Sequence, residues 1–191
     1  PGAGNQQWRL EKRDILSGAL VGSFDGDGIV QSNPSAGNDN SNRVVVDSAY
    51  IYIAGYDMAS GNAGWRVEKR DINTGALVGA FNGSGIVQSD ISVGNDVIYS
   101  MAIDAAYLYL AGYDSALGDT QWHIEKWDKV TGAVVAAFDG DGVIVNNPSG
   151  GDDRPYGESC IAVDSNYLYV VGYDNSAGEQ GWRIEKRDKT T

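Results

Sequence analysis

Short apolar runs separated by Gly, Asn, Asp and Ser recur along the whole chain. One set, here called runs A to D, reads RVVVD (43–47), YIYIAGYD (50–57), WRVEKRD (65–71) and ALVGAF (76–81). The runs are short and rich in β-branched and aromatic residues, which is typical of strands. No window shows a sustained helical period. The pattern therefore predicts an all-β fold, with hairpin loops between A and B and between C and D.

Run B carries large residues on both of its faces. Tyr50, Tyr52 and Tyr56 fall on one face, whereas Ile51 and Ile53 fall on the other, because successive side chains of a strand point to opposite sides. We expect this strand to be covered on both sides, with the tyrosine rows packed between neighbouring repeats.

Run C has one charged face. Arg66, Glu68 and Arg70 alternate with Trp65 and Val67. We expect the charged face to lie near solvent, where ion pairs contribute little to stability individually.

The runs repeat at a nearly fixed period, which is the signature of a repeat architecture. A tryptophan opens every copy of run C, and the four copies are spaced by 57, 57 and 60 residues. A phenylalanine closes each copy of run D at the same step of 57. These markers are Trp8, Trp65, Trp122 and Trp182, and Phe24, Phe81 and Phe138.

Four antiparallel strands per repeat resemble a β-propeller blade. The segments AVDSNYLYVVGYD, WRIEKRDKTT and FDGDGIV make nearly the whole chain similar to the extracellular β-propeller repeats of bacteria and archaea. The resemblance implies blades of about 57–60 residues, with run A nearest the central axis and run D at the rim. It implies little about function, since propellers host many unrelated functions.

The runs do not add up to whole blades. Complete sets cover 43–81 and 99–138, flanked by a C–D pair at 8–24 and an A–B–C set at 160–188. We therefore expect residues 1–191 to form an incomplete ring, either part of a longer array or a protomer that its neighbours complete. Unpaired strand edges favour pairing with another chain.

The partial blades supply candidate interaction residues. Trp8 and Glu11 belong to the first copy of run C, and Trp182 and Glu185 belong to the last. We predict that neighbouring blades or a second copy contact them. Trp127 joins this set because it replaces an arginine present in the other three copies. Packing against a neighbouring blade and stacking on a sugar both fit a tryptophan at this position.

Two loops carry candidate metal ligands. FDGDGIV (24–30) and FDGDGVI (138–144) place Asp25, Asp27, Asp139 and Asp141 in a pattern similar to the start of a Ca²⁺ loop. The middle copy, FNGSGIV, lacks both carboxylates, and a turn that requires Gly accounts for the motif as well. Calcium is the one cofactor considered.

The B–C and D–A links are predicted to share one end of each blade and to form an acidic loop face. Such a face suits cations, glycans or basic partners, and it also serves solubility alone. The aspartates assigned to it are Asp25, Asp27, Asp39, Asp57, Asp96, Asp114, Asp119, Asp139, Asp141, Asp152, Asp153 and Asp174.

The remaining chemistry is sparse. Asn82 opens an N-glycosylation sequon, whereas the prolines after Asn33 and Asn147 exclude those two positions. His123 replaces the arginine of the other copies, which indicates repeat drift rather than a catalytic base, and Cys160 is expected to be a buried thiol. Because nearly every acidic residue recurs in the repeats, no asymmetric acid pair indicates a glycosidase.

Composition narrows the choice of partners. The net charge is −12 and the cations are not clustered, which argues against nucleic acid. No apolar run approaches the ~18 residues of a membrane helix. The Lys-poor, Asp- and Tyr-rich balance favours an extracellular or cell-surface location. We predict a non-enzymatic structural or adhesive propeller protein that self-associates into a filament; the alternative is a Ca²⁺- or carbohydrate-binding module.

Overall fold

The computed structural model describes residues 4–190. Residues 1–3 and 191 of the predicted domain lie outside the described residues. The described part contains strands and no helix, and every strand pair is antiparallel. The all-β prediction is confirmed.

The strands form four sheets that follow one another in chain order. Sheets 2 and 3 have four strands each, in the order in which they occur in the sequence. Sheet 1 contains β1 (Trp8–Glu11) and β2 (Ile29–Ser32); sheet 2 contains β3 (Asn40–Val46), β4 (Tyr50–Asp57), β5 (Gly64–Asp71) and β6 (Ile86–Ser89); sheet 3 contains β7 (Val97–Ile103), β8 (Tyr107–Asp114), β9 (Gln121–Asp128) and β10 (Val143–Asn146); sheet 4 contains β11 (Arg154–Pro155), β12 (Ile161–Val163), β13 (Tyr167–Asp174) and β14 (Gly181–Asp188).

The prediction for the fourth strand is wrong. Run D forms only one bridge per copy, such as Arg70 with Leu77, and then turns at Phe81. The following segment IVQS is the strand, and Val87 pairs with Val67 of β5. Run D is short, and its Leu77 stays partly exposed. IVQS, in contrast, pairs residue by residue with run C in an unbroken antiparallel register. The two complete sets therefore extend over 40–89 and 97–146 rather than 43–81 and 99–138.

The hydrophobic cores lie between consecutive sheets. Tyr52 and Trp65 of sheet 2 meet Met101 and Leu110 of sheet 3 in one fully buried cluster. Equivalent hydrophobic clusters fill the space between sheets 1 and 2 and between sheets 3 and 4. Because sheets 2 and 3 each have a neighbouring sheet on both sides, both faces of β4 and β8 are buried, as predicted for run B. The prediction is wrong for the third copy, β13, whose side away from sheet 3 is partly exposed.

The charged face of run C is not near solvent in the two complete sheets. Arg66, Glu68 and Arg70 of β5 are all buried, and so are His123 and Glu125 of β9. The prediction of a solvent-facing row is wrong there, because the preceding sheet covers that face.

The first strands of the sheets approach one another. Arg43 at the start of run A in sheet 2 donates from Nη1 to Ser159 Oγ in sheet 4 at 3.2 Å, although sheet 3 separates the two in the chain. Ser100 of β7 donates to the carbonyl of Glu158 at 3.0 Å. The strands β3, β7 and β12 therefore lie close to one another at one edge of the sheet stack.

Among residues 4–190 there is no helix with the length and apolarity required to cross a membrane.

Candidate functional site

The contacts between consecutive sheets, here called joints, share one hydrogen bond. The indole Nε1 of the run C tryptophan donates to a tyrosine carbonyl in the next sheet. The next sheet also places a cationic or imidazole side chain against the same indole, at 5.0–5.8 Å between centres. The three bonds are Trp8 to Tyr56 (3.3 Å), Trp65 to Tyr113 (3.4 Å) and Trp122 to Tyr173 (3.0 Å).

Joint 1–2 encloses a buried charge network. Glu68 accepts from Arg66 Nη2 at 2.7 Å and from Arg70 Nη2 at 2.6 Å, and Arg66 also reaches Asp57 at 3.3 Å. Ser32 of sheet 1 donates to Glu68 across the joint at 2.8 Å. Burial raises the pKa of Glu68, but the charges of Arg70 and Arg66 outweigh burial and lower it overall. The carboxylate therefore stays ionised inside the stack.

Joint 2–3 uses a histidine where the neighbouring joints use arginine. His123 Nδ1 lies 2.7 Å from Asp114 Oδ2, and its Nε2 lies 2.8 Å from Glu125 Oε1. Burial lowers the pKa of His123, whereas the hydrogen bonds with Asp114 and Glu125 outweigh burial and raise the pKa from 6.5 to about 9. The imidazolium thus replaces a guanidinium between the same two carboxylates.

Trp127 belongs to the same network. Its side chain is buried, and its Nε1 donates to Glu125 Oε2 at 2.5 Å, where Arg70 binds Glu68 in sheet 2. This arrangement corresponds to packing against a neighbouring sheet and leaves no indole face for a sugar.

The last sheet presents an open counterpart of the joints. Trp182 of β14 is 94% exposed, whereas the equivalent Trp122 is fully buried. Ile184 beside it is 71% exposed, and a groove of about 450 Å³ runs along this face. Glu185 points to the other side, where Asn146 of sheet 3 donates to it at 2.7 Å.

The first sheet presents the opposite open face. Arg9 and Arg13 flank Glu11 at 2.7 Å each, in the arrangement that is buried in sheet 2. Arg9 is about half exposed, and Ile15 is 97% exposed. Trp8, on the reverse side, is covered by sheet 2.

β-Bulges interrupt the first strands at equivalent positions. The register of β3 skips Asn42, and the register of β7 skips Tyr99. In sheet 4 the interruption widens, so that residues 156–160 separate β11 from β12. A bulge re-aims a side chain out of the regular alternation, and bulges are enriched next to binding sites.

A glycine in the second strand permits each bulge. A Cβ at Gly55 would overlap the carbonyl of Asn40, and a Cβ at Gly112 would overlap that of Val97. Isolated glycine inside an apolar run is a sequence signal for a bulge. The Gly of YIYIAGYD and YLYLAGYD is therefore the signal that our sequence analysis missed.

The bulged residues border a cleft of about 420 Å³ between sheets 2 and 3. Four asparagines and three tyrosines contribute to its lining, together with Met58, Ala63 and Val97. Tyr99 extends the aromatic surface toward sheet 4, because its ring packs on Tyr156 at 5.3 Å. The lining asparagines and tyrosines are Asn38, Asn40, Asn42, Asn95, Tyr56, Tyr99 and Tyr113.

The predicted calcium loops lie at the opposite end of the sheets. Asp25 N donates to the carbonyl of Thr74 at 2.9 Å, and the adjacent Ile72 contacts the A–B hairpin at Ala49. The placement of Asp25, and by repeat equivalence of Asp27, Asp139 and Asp141, on the acidic loop face is therefore wrong, because the fourth strand follows this loop. One oxygen of Asp27 and one of Asp141 accept a backbone N–H two residues ahead. Within the described residues, no group of three or more His, Cys, Asp or Glu side chains can hold a metal. Calcium binding stays a prediction.

Several aspartates assigned to the acidic loop face are buried structural acceptors. Asp96 accepts from the N–H of Ile91 and from the N–H and Oγ of Ser92, which fixes the link before β7. Burial raises the pKa of Asp96. The other buried members of the predicted face are Asp39, Asp57, Asp114 and Asp153. Much of the predicted face thus organises loops instead of facing a partner.

The remaining candidates occupy separate places. Asn82 is exposed in the turn between run D and β6, with φ of 51°, and its amide donates to the carbonyl of Ile86 at 3.0 Å. Cys160 is buried, and burial raises the pKa of its thiol to about 12. Cys160 belongs to the core between sheets 3 and 4, against which Tyr99 packs. Glycosylation of Asn82 stays a prediction.

Comparisons of the chain with protein-family models, with curated proteins and with solved structures found no match. The repeat and the joints therefore define the class: an all-β repeat protein of stacked antiparallel sheets with two open end faces.

Proposed function

We propose that this protein is a non-enzymatic structural module of the β-propeller type, which associates with further copies of itself through its two open faces. The supporting observation is the contrast between Trp182 and its equivalents. The same side chain is 94% exposed at position 182 but at most 3% exposed at positions 8, 65 and 122, where a following sheet covers it.

The partner that fits Trp182 is the first sheet of a second copy. At the internal joints, Arg66 stacks on Trp8 at 5.6 Å and Arg183 stacks on Trp122 at 5.8 Å. Arg9 occupies the same repeat position and its guanidinium is about half exposed. The chain therefore carries both halves of one more joint.

A lysine contact extends this complementarity. Lys12 and Lys69 each donate from Nζ to a backbone carbonyl in the next sheet at 2.8 Å. Lys186 is the equivalent donor on the open face of sheet 4. The equivalent acceptor in a second copy is the carbonyl of Ile15, whose exposed side chain would also cover apolar surface near Trp182.

The two faces differ, so the contact is heterologous. A heterologous contact generates a ring if the rotation closes and a filament if it does not. The approach of β3, β7 and β12 through the Arg43–Ser159 bond supports a propeller-like arrangement around a common axis. The acidic, Lys-poor composition is the basis for proposing an extracellular or cell-surface role.

Complementary capping variants test the association. Variant one carries Trp182→Arg and Ile184→Asp, and it loses the sheet 4 face. Variant two carries Arg9→Asp and Ile15→Asp, and it loses the sheet 1 face. All four residues are exposed, so both variants should fold. Val93→Asp, at a fully exposed loop position, is the matched control.

Sedimentation velocity should show concentration-dependent association for the wild type and for the Val93→Asp control. Each capping variant alone should remain monomeric, and a mixture of the two should form a 1:1 heterodimer through the intact faces. A monomeric wild type, or capping variants that associate as strongly as the control, would reject the proposal.

A further inference from the structure

We propose that the cleft between sheets 2 and 3 is a binding site for a neutral carbohydrate. The site is independent of the open end faces. It is built from the bulged starts of β3 and β7 and from the ends of β4 and β8.

The repeats diverge where the cleft lies. Run B and run C are nearly identical between the copies, but the starts of the first strands read NSNR, VIYS and RPYGES. Repeated scaffold residues need only preserve the joints, whereas a binding site requires residues that differ around it. The bulge at Asn42 and Tyr99 turns these unlike side chains out of the regular alternation.

The chemistry of the lining favours a neutral polar ligand. The side chains around the cleft include amides, phenols and small apolar groups, and none of them is charged. This absence of charge is notable in a protein with a net charge of −12. Arg154, which stacks on the Tyr113 ring at 4.6 Å, is already paired with Asp152 at 3.2 Å. An ionic ligand would therefore find no free counter-charge, whereas hydroxyl groups can both donate to and accept from Asn side chains.

Several amide groups remain available to a ligand. Within the described part of the chain, the side chain of Asn40 is exposed and makes no hydrogen bond. Asn42 uses one N–H to reach the carbonyl of Ile98 at 2.7 Å, which holds the amide in place and leaves its oxygen free. Asn95 accepts the N–H of Ala63 at 3.1 Å, which fixes that amide as well.

Besides hydrogen-bonding groups, a sugar site requires an aromatic surface, and the tyrosines of the cleft supply it. Tyr56 and Tyr99 are half-buried at the cleft, and Tyr99 is held by Tyr113 at 5.7 Å and by Tyr156 at 5.3 Å. A saccharide ring presents C–H groups to an aromatic ring and hydroxyls to the amides around it. The cleft volume of about 420 Å³ lies within the ~300–1,000 Å³ of small-molecule sites.

Isothermal titration calorimetry with cellotetraose, maltotetraose, mannotetraose and chitotetraose tests the proposal, with trigalacturonate as the acidic comparison. Asn40→Ala should weaken the best neutral ligand about five- to tenfold, since it removes one amide contact. Asn40→Lys should abolish binding by filling the cleft mouth. Asn166→Ala, at an exposed hairpin of sheet 4, is the control and should bind like the wild type.

Binding of at least one neutral tetrasaccharide that is lost in Asn40→Lys and kept in Asn166→Ala supports the site. Absence of heat with all four neutral ligands, a preference for trigalacturonate, or unchanged binding in Asn40→Lys overturns it. None of these outcomes depends on self-association, because the two capping variants retain the cleft and serve as monomeric titration samples.

Discussion

Trp122 and Trp182 open the same sequence motif but have opposite environments. Trp122 is fully buried and donates to Tyr173 in the next sheet, whereas Trp182 is 94% exposed. The two tryptophans show that the repeat specifies an interface as well as a strand. Burial of each run C comes from the neighbouring sheet, and among residues 4–190 no sheet covers the Trp182 face of sheet 4.

The largest expected effect is the loss of stability when a buried run C tryptophan is truncated, compared with truncation of the exposed one. Trp65→Ala should cost about 3–5 kcal/mol of unfolding free energy, because it leaves a cavity and removes the hydrogen bond to the Tyr113 carbonyl. Trp182→Ala should change the free energy of the monomer by less than about 0.5 kcal/mol. Urea unfolding at low protein concentration measures both, and equal losses would contradict the difference between joint and open face.

The pH dependence of the unfolding free energy compares the histidine of joint 2–3 with the arginines of the other joints. Because the pKa of His123 is raised to about 9 in the folded protein, its stabilising effect is complete below pH 6.5 and disappears as the pH rises through 9. The loss is roughly 3 kcal/mol. His123→Arg, which restores the residue of the other joints, should flatten this dependence between pH 6.5 and 9. Parallel curves for wild type and variant would show that the imidazolium does not support the joint.

A smaller effect is expected at the bulges. Gly112→Ala should cost about 1–3 kcal/mol through overpacking, since the added Cβ overlaps the carbonyl of Val97. Gly22→Ala is the matched control, because a Cβ there meets no atom within 4 Å. Thermal unfolding of the two variants compares them, and a Gly112→Ala variant as stable as the control would show that the bulge is not constrained.

The sequence predicted runs B and C well because their alternation is long and strong. The fourth strand was missed because IVQS is a four-residue segment with polar Gln88 and Ser89, placed directly after a glycine-rich turn. Alternation shows that the two faces of run C differ, but it does not show what covers each face. The burial of Glu68 was therefore not predictable from one chain segment.

Part of the cleft could have been predicted from the sequence. Asn40, Asn42 and Tyr99 stand where the repeats diverge, and Gly112 marks the bulge. The sequence does not predict that β3 and β7 lie close together, which brings the Asn42 amide within hydrogen-bond distance of the Ile98 carbonyl. That approach depends on packing of whole sheets.

Hydroxyl-radical footprinting over a dilution series tests the open face of sheet 4 most directly. Oxidation of Trp182 should fall as protein concentration rises, and modification of Ile15 should fall in parallel, while the exposed loop residue Val93 stays equally reactive. Trp182 that remains as reactive at high concentration as at low concentration would contradict an intermolecular joint at this face.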